Sequence, residues 1–106
     1  MTPDARFTEV LDDLKMLGVT QSPFFGRRGL MADGKVIAVF LDDSMAFKLG
    51  ATTPEHDRAL ATSGSKPWHP GNREVPFKDW VQVGEAHKDQ WGRLAEQALH
   101  HIRQKL

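Results

Sequence analysis

The chain has 106 residues and a hydrophobic fraction of 40%, the size and apolar content of one compact domain with a real core. Fourteen basic and fourteen acidic side chains cancel, so the strong basic excess of a nonspecific nucleic-acid binder is missing and direct nucleic-acid binding is not expected. The absence of cysteine excludes disulfides, thiolate metal sites and a cysteine nucleophile.

Thr2-Pro3-Asp4 opens a helix. Thr2 is placed to cap it, and Pro3 suits the first helical position, where its missing N–H would be unpaired anyway. Phe7, Val10, Leu11, Leu14 and Leu17 then recur on one face at helical spacing, with Glu9, Asp12, Asp13 and Lys15 opposite and Gly18 as the stop. This N-terminus lacks the basic start and apolar run of a signal peptide, and no apolar run approaches the ~20 residues that span a bilayer. A cytoplasmic protein without membrane contact is expected.

From Phe24 to Gly50 the chain reads as three strands joined by two tight turns. Asp33-Gly34 predicts a two-residue type I′ loop, which needs positive φ at both positions. Val36 to Leu41 is apolar throughout, so both faces of that strand should be covered and it should be central, paired on both sides. Asp42-Asp43-Ser44 turns the chain into Met45 to Leu49, which alternates if Ala46 and Lys48 face outward. A loop of two or of three residues at Asp42 fits equally well.

Thr52 and Glu55 have capping-box spacing around Pro54, so a short helix should run from about Pro54 to Thr62. Its apolar surface is small, and a thin connector at one edge of the sheet is expected. Lys66 to His69 predicts a short edge strand, where proline is tolerated, followed by a turn at Pro70-Gly71-Asn72. Val75 to Val83 predicts a strand with Val75, Phe77, Asp79, Val81 and Val83 on one face. Trp80 lies on the other, either under a helix or exposed. The last helix, from about Glu85 to Gln104, carries the strongest apolar stripe: Trp91, Leu94, Ala95, Ala98, Leu99 and Ile102. It should cover one face of the sheet beside the first helix.

No catalytic motif accompanies these elements. His56, His69, His87, His100 and His101 show no metal-ligand spacing, and the Asp12-Asp13 and Asp42-Asp43 pairs fit a solvated helix face and a turn. No serine stands in a nucleophile elbow and no glycine loop precedes a helix to hold phosphate. Arg27 and Arg28, between Gly26 and Gly29, offer two planar forks suited to carboxylate or phosphate, although charge guarding an edge strand explains them as simply. Strand alternation sends the two to opposite faces. Trp68 and Trp80 complete a candidate partner surface, against the commoner use of tryptophan in packing.

The order of motifs resembles the N-terminal domain of the TfoX/Sxy family. Phe25-Gly26, Asp33-Gly34-Lys35-Val36-Ile37-Ala38 and Met45-Ala46-Phe47-Lys48-Leu49 carry the resemblance. Pro70-Gly71, Lys78-Asp79-Trp80-Val81 and the Trp91 helix extend it over residues 20–104. Where that family often has Gly-Tyr-Gly, this chain has Arg27-Arg28-Gly29. The resemblance implies an α+β domain with an antiparallel sheet, in a short stand-alone member of the family. Characterised members regulate natural competence together with the cyclic-AMP receptor protein and are not known as enzymes.

The expectation is therefore a single α+β domain over residues 1–106, order α-β-β-β-α-β(β)-α. An antiparallel sheet of four or five strands carries the N- and C-terminal helices. Function is expected through a protein partner, linked to transcription or competence regulation, with Arg27, Arg28, Trp68 and Trp80 as candidate surface. No catalytic residue, cofactor or metal is expected. The alternative is a small-molecule binder or an enzyme with a pocket beside the sheet.

Overall fold

A computed structural model describes residues 1–104, apart from the side chain of Asn72; Lys105 and Leu106 lie outside the described residues. The elements run α1 (Pro3–Leu14), β1 (Thr20–Phe24), β2 (Arg27–Ala32), β3 (Lys35–Phe40), β4 (Ser44–Lys48), α2 (Pro54–Ala61), β5 (Lys66–Trp68), β6 (Phe77–Gly84) and α3 (Trp91–Gln104). All neighbouring strands are antiparallel, in the order β1-β2-β3-β4-β6-β5. The fold is the expected α+β arrangement of helices packed on an antiparallel sheet. The sheet has six strands, because Thr20–Phe24 adds one before the meander. Arg27 and Arg28 therefore sit on an interior strand, not at an edge.

The Asp33-Gly34 turn has φ of 55° and 78°, as a two-residue loop requires, and β3 pairs with β2 and β4. Phe40 pairs with Met45, and the Leu41 N–H donates to Ser44 O at 2.8 Å, so the next loop is Asp42-Asp43. Met45, Phe47 and Leu49 thereby share a face with Ala38 and Phe40. β3 also carries a bulge. Leu30 pairs with Ala38 but Met31 with Val36, which leaves Ile37 unpaired. Ile37 and Ala38 consequently both enter the core under the helices, while Val36 and Val39 join the opposite layer.

α1 and α3 cover one face of the sheet. Phe7, Val10 and Leu14 pack there with Trp91, Leu94, Ala95, Ala98, Leu99 and Ile102, over Leu30, Phe40, Phe47, Val81 and Val83. Thr2 caps α1 as expected, accepting from the Ala5 N–H at 3.1 Å. Leu17 departs from the stripe and is 42% exposed. After Leu14 the helix tightens into a 3₁₀ turn at Lys15–Leu17, and three residues per turn rotate Leu17 away from the core.

Three further expectations are corrected. The cap of α2 is Thr53, not Thr52. Its hydroxyl accepts from the His56 N–H at 3.1 Å and donates to Leu49 O at 2.7 Å, with Pro54 directly after it at the first helical position. β6 begins only at Phe77, so Val75 lies outside the sheet and is 63% exposed. Within β6 the pairing with β5 jumps from Pro67 with Val81 to Trp68 with Phe77. That irregularity places Phe77 in the same layer as Trp80, apart from Val81 and Val83. Asp79, in the displaced stretch, instead closes the end of β4: its carbonyl accepts from the Leu49 and Gly50 N–H groups and its side chain from the Ala51 N–H.

Candidate functional site

The face of the sheet away from the helices builds its own small core. Gly29, Val39 and Ala46 lie side by side across β2, β3 and β4. Their small side chains leave a shallow valley. Phe24 reaches into it from β1 and Trp80 from β6, and the two rings stack at 6.0 Å with 12° between planes. Trp68 joins from β5 at 5.0 Å from Trp80 and 6.1 Å from Phe24, and Phe77 meets Trp68 edge-on at 5.8 Å. Val39 and Ala46 are fully buried beneath these rings. The sheet is thus curled, with strands from its two ends meeting over the middle.

Trp80 neither lies under a helix nor is exposed. It and Trp68 are both buried as the floor of this aromatic layer. The exposed part is contributed by Phe25, at the β1–β2 turn. Phe25 has φ of +50°, a backbone region that bulky L side chains seldom adopt, and is 52% exposed. Its ring meets Phe24, Phe77 and Trp68 edge-on at 4.7, 6.0 and 6.2 Å. The exposed Val75 precedes Phe77, and the Arg73 guanidinium lies 5.1 Å from the Phe77 ring centre.

The two arginines separate as strand alternation requires. Arg28 turns to the helix side, where its guanidinium lies over the adjoining Phe7 and Phe40 rings, 4.9 and 4.8 Å from their centres, the two rings being 5.0 Å apart, and pairs with Asp4. Arg27, beside it, takes the aromatic side and pairs with Asp42 at 2.8 Å. Both forks therefore have a carboxylate of their own chain. Of the four candidate residues, Arg27, Trp68 and Trp80 share a face and Arg28 does not. Phe24, Phe25, Phe77 and Val75 were missed by the sequence reading. The one local signal for them is Phe25-Gly26, which reads as a two-residue turn carrying an aromatic ring.

A second feature lies elsewhere. A cleft of about 480 Å³ runs along α3 toward the start of α2, with Leu17, Leu49 and Leu99 among its lining and Thr53, Arg93 and His100 at its polar side. Arg103, which also borders it, is already engaged by Asp33 at 3.0 Å and Leu17 O at 2.6 Å. The histidines are dispersed. His56 is buried and its Nε2–H donates to Lys78 O at 3.0 Å, tying α2 to β6, whereas His69, His87, His100 and His101 lie on other segments. Among the described residues, no group of three or more His, Cys, Asp or Glu side chains is placed to hold a metal ion, and no helix is long and apolar enough to cross a membrane.

These features define the class as an α+β domain whose curled antiparallel sheet carries helices on one face and an aromatic layer on the other. Comparison with family models, with curated proteins and with solved structures finds no match for this chain.

Proposed function

We propose that this chain is a protein-binding module of the kind implied by its resemblance to the TfoX/Sxy N-terminal domain, working in transcription or competence regulation. The observation that carries the reading is the aromatic tip. Phe25 stands half-exposed on a base of buried Trp68 and partly buried Phe77 and Phe24, with Val75 exposed two residues before Phe77. Aromatic side chains in well-packed surroundings that exclude water are the usual energetic centres of protein interfaces. Recognition by strand addition is disfavoured. Both edge strands contain a proline, Pro23 in β1 and Pro67 in β5, which removes an N–H from each exposed row. A partner would meet side chains instead.

The test compares native-host capture by the wild type with capture by a Phe25→Ala, Val75→Ser double variant whose folding is confirmed by its melting curve. A partner retained by the wild type should bind the variant about tenfold more weakly, equivalent to about 1.4 kcal/mol. Identical retention would remove the aromatic tip from the interface. The cleft along α3 favours a second reading, a small-molecule binder, because its volume falls in the range of ligand sites and apolar and polar groups converge on it. Chemical-shift changes confined to Leu49, Leu99 and Gln97 on titration with a metabolite library would support that reading.

A further inference from the structure

We infer that β1 and its Phe25 tip form a strap that opens and closes over the aromatic face while the rest of the sheet stays folded. As regulation of the proposed interface this rests on that reading; as a motion of the free chain it does not.

The strap is held on one side only. Among the described residues β1 pairs with β2 and with no other strand. No helix among the described residues covers it: Thr20, Gln21 and Pro23 are exposed, and Ser22 and Phe24 are partly buried. By contrast β3 buries four consecutive residues, Ile37 to Phe40, and β4 buries Ser44 to Phe47. Local opening follows such differences in buried contact. What joins the strap to the far end of the sheet is a set of ring contacts, from Phe24 to Trp68 and Trp80 and from Phe25 to Trp68 and Phe77. Among the described residues no backbone ladder reinforces them. The two-residue Phe25-Gly26 turn sets the φ of +50° at Phe25, so separating β1 from β2 also releases that backbone strain.

The ends of the moving piece are identifiable. Val19, just before β1, is buried at 1% exposure and its N–H donates to Leu14 O, so the strap is anchored there. The other end is the Phe25-Gly26 turn, beyond which Gly29, Leu30 and Ala32 of β2 are buried. Opening would uncover Val39, Ala46 and the face of Trp80, an apolar surface next to the tip proposed to bind. A partner able to insert an aromatic ring beside Trp80 would bind the open form better and shift the population toward it.

Native-state hydrogen exchange on the free protein tests the motion. Ladder-bonded amides of β1 should exchange with protection at least about tenfold below those of β3 and β4, and with little dependence on sub-denaturing urea. Ile102→Val, at a buried helix position, should lower protection in β3 and β4 and leave β1 unchanged, because that contact persists in the open form. Phe24→Leu should lower protection of β1, since the rings hold it closed. Equal protection and equal urea dependence in β1 and β3 would overturn the inference, as would an equal loss in both strands with Ile102→Val. No effect of Phe24→Leu on β1 would overturn the role of the rings. Failure of capture by the Phe25 variant tests the interface alone and leaves these exchange outcomes unaffected.

Discussion

Phe24 of β1 stacks on Trp80 of β6 although three strands lie between them in the sheet. Twist and curl bring the two flanks together, but only if the strands between carry small side chains. Gly29 is the tightest point. A Cβ there would lie 2.9 Å from Ser22 O and 3.2 Å from the Cβ of Phe24.

Gly29→Ala should therefore destabilise the fold, although alanine is sterically acceptable in an ordinary strand. One neighbour is backbone and cannot rotate aside, so β1 must shift outward. Overpacking of this kind costs about 1–3 kcal/mol. Urea denaturation followed by tryptophan fluorescence measures it, and the loss should come with altered near-ultraviolet ellipticity from the Phe24, Trp68 and Trp80 rings. An unchanged midpoint would mean that the valley is wider than these distances require.

The helix side of the protein was largely legible in the sequence, and the aromatic side was not. Asp33-Gly34 and the stripe from Trp91 to Ile102 are local patterns, with their signal contained in a few turns or residues. The aromatic layer joins Phe24, Trp68, Phe77 and Trp80 through contacts spanning more than half the chain, and no local period announces them. The bulge at Ile37 was hidden for another reason: a continuous apolar run has no alternation to interrupt, so a change of phase leaves no trace. β1 contains Pro23 among polar residues and lacks the pattern of a buried strand. For the candidate site, alternation correctly separated Arg27 from Arg28. The carboxylates they meet, Asp42 and Asp4, come from a turn and from the far end of α1, which spacing could not indicate.

Arg28 offers a test of whether its fork is structural. Its pairing with Asp4 is partly exposed and should contribute at most about 1 kcal/mol, falling with salt. Its position over the adjoining Phe7 and Phe40 rings adds about 0.5–1 kcal/mol per ring and also covers apolar surface. Asp4→Asn should thus be mild and become milder still at high salt. Arg28→Ala should be clearly worse and should keep most of its effect in salt. Denaturation curves at low and high ionic strength separate the two terms. If both variants lose the same small amount, the contact with the two rings contributes little, and Arg28 returns to consideration as a partner-binding fork.

Gly50 and Gly34 give the last comparison, because both have positive φ, 90° and 78°, but in different surroundings. A Cβ at Gly34 would meet nothing within 4 Å. Gly34→Ala should then show the left-handed backbone penalty alone, about 1–2 kcal/mol. At Gly50 a Cβ would lie 2.5 Å from His101 Cε1, 2.8 Å from its Nε2 and 3.0 Å from Thr53 Cγ2. Gly50→Ala must also displace the imidazole that packs α3 against the end of β4. It should exceed the Gly34 loss by about 1–3 kcal/mol, the range of overpacking. His101→Ala removes the obstructing ring, so in the double variant the extra loss should largely disappear, leaving a favourable coupling in the cycle. Purely additive losses, or a Gly50 variant no worse than the Gly34 variant, would show that the ring yields freely and that Gly50 is required for its backbone conformation alone.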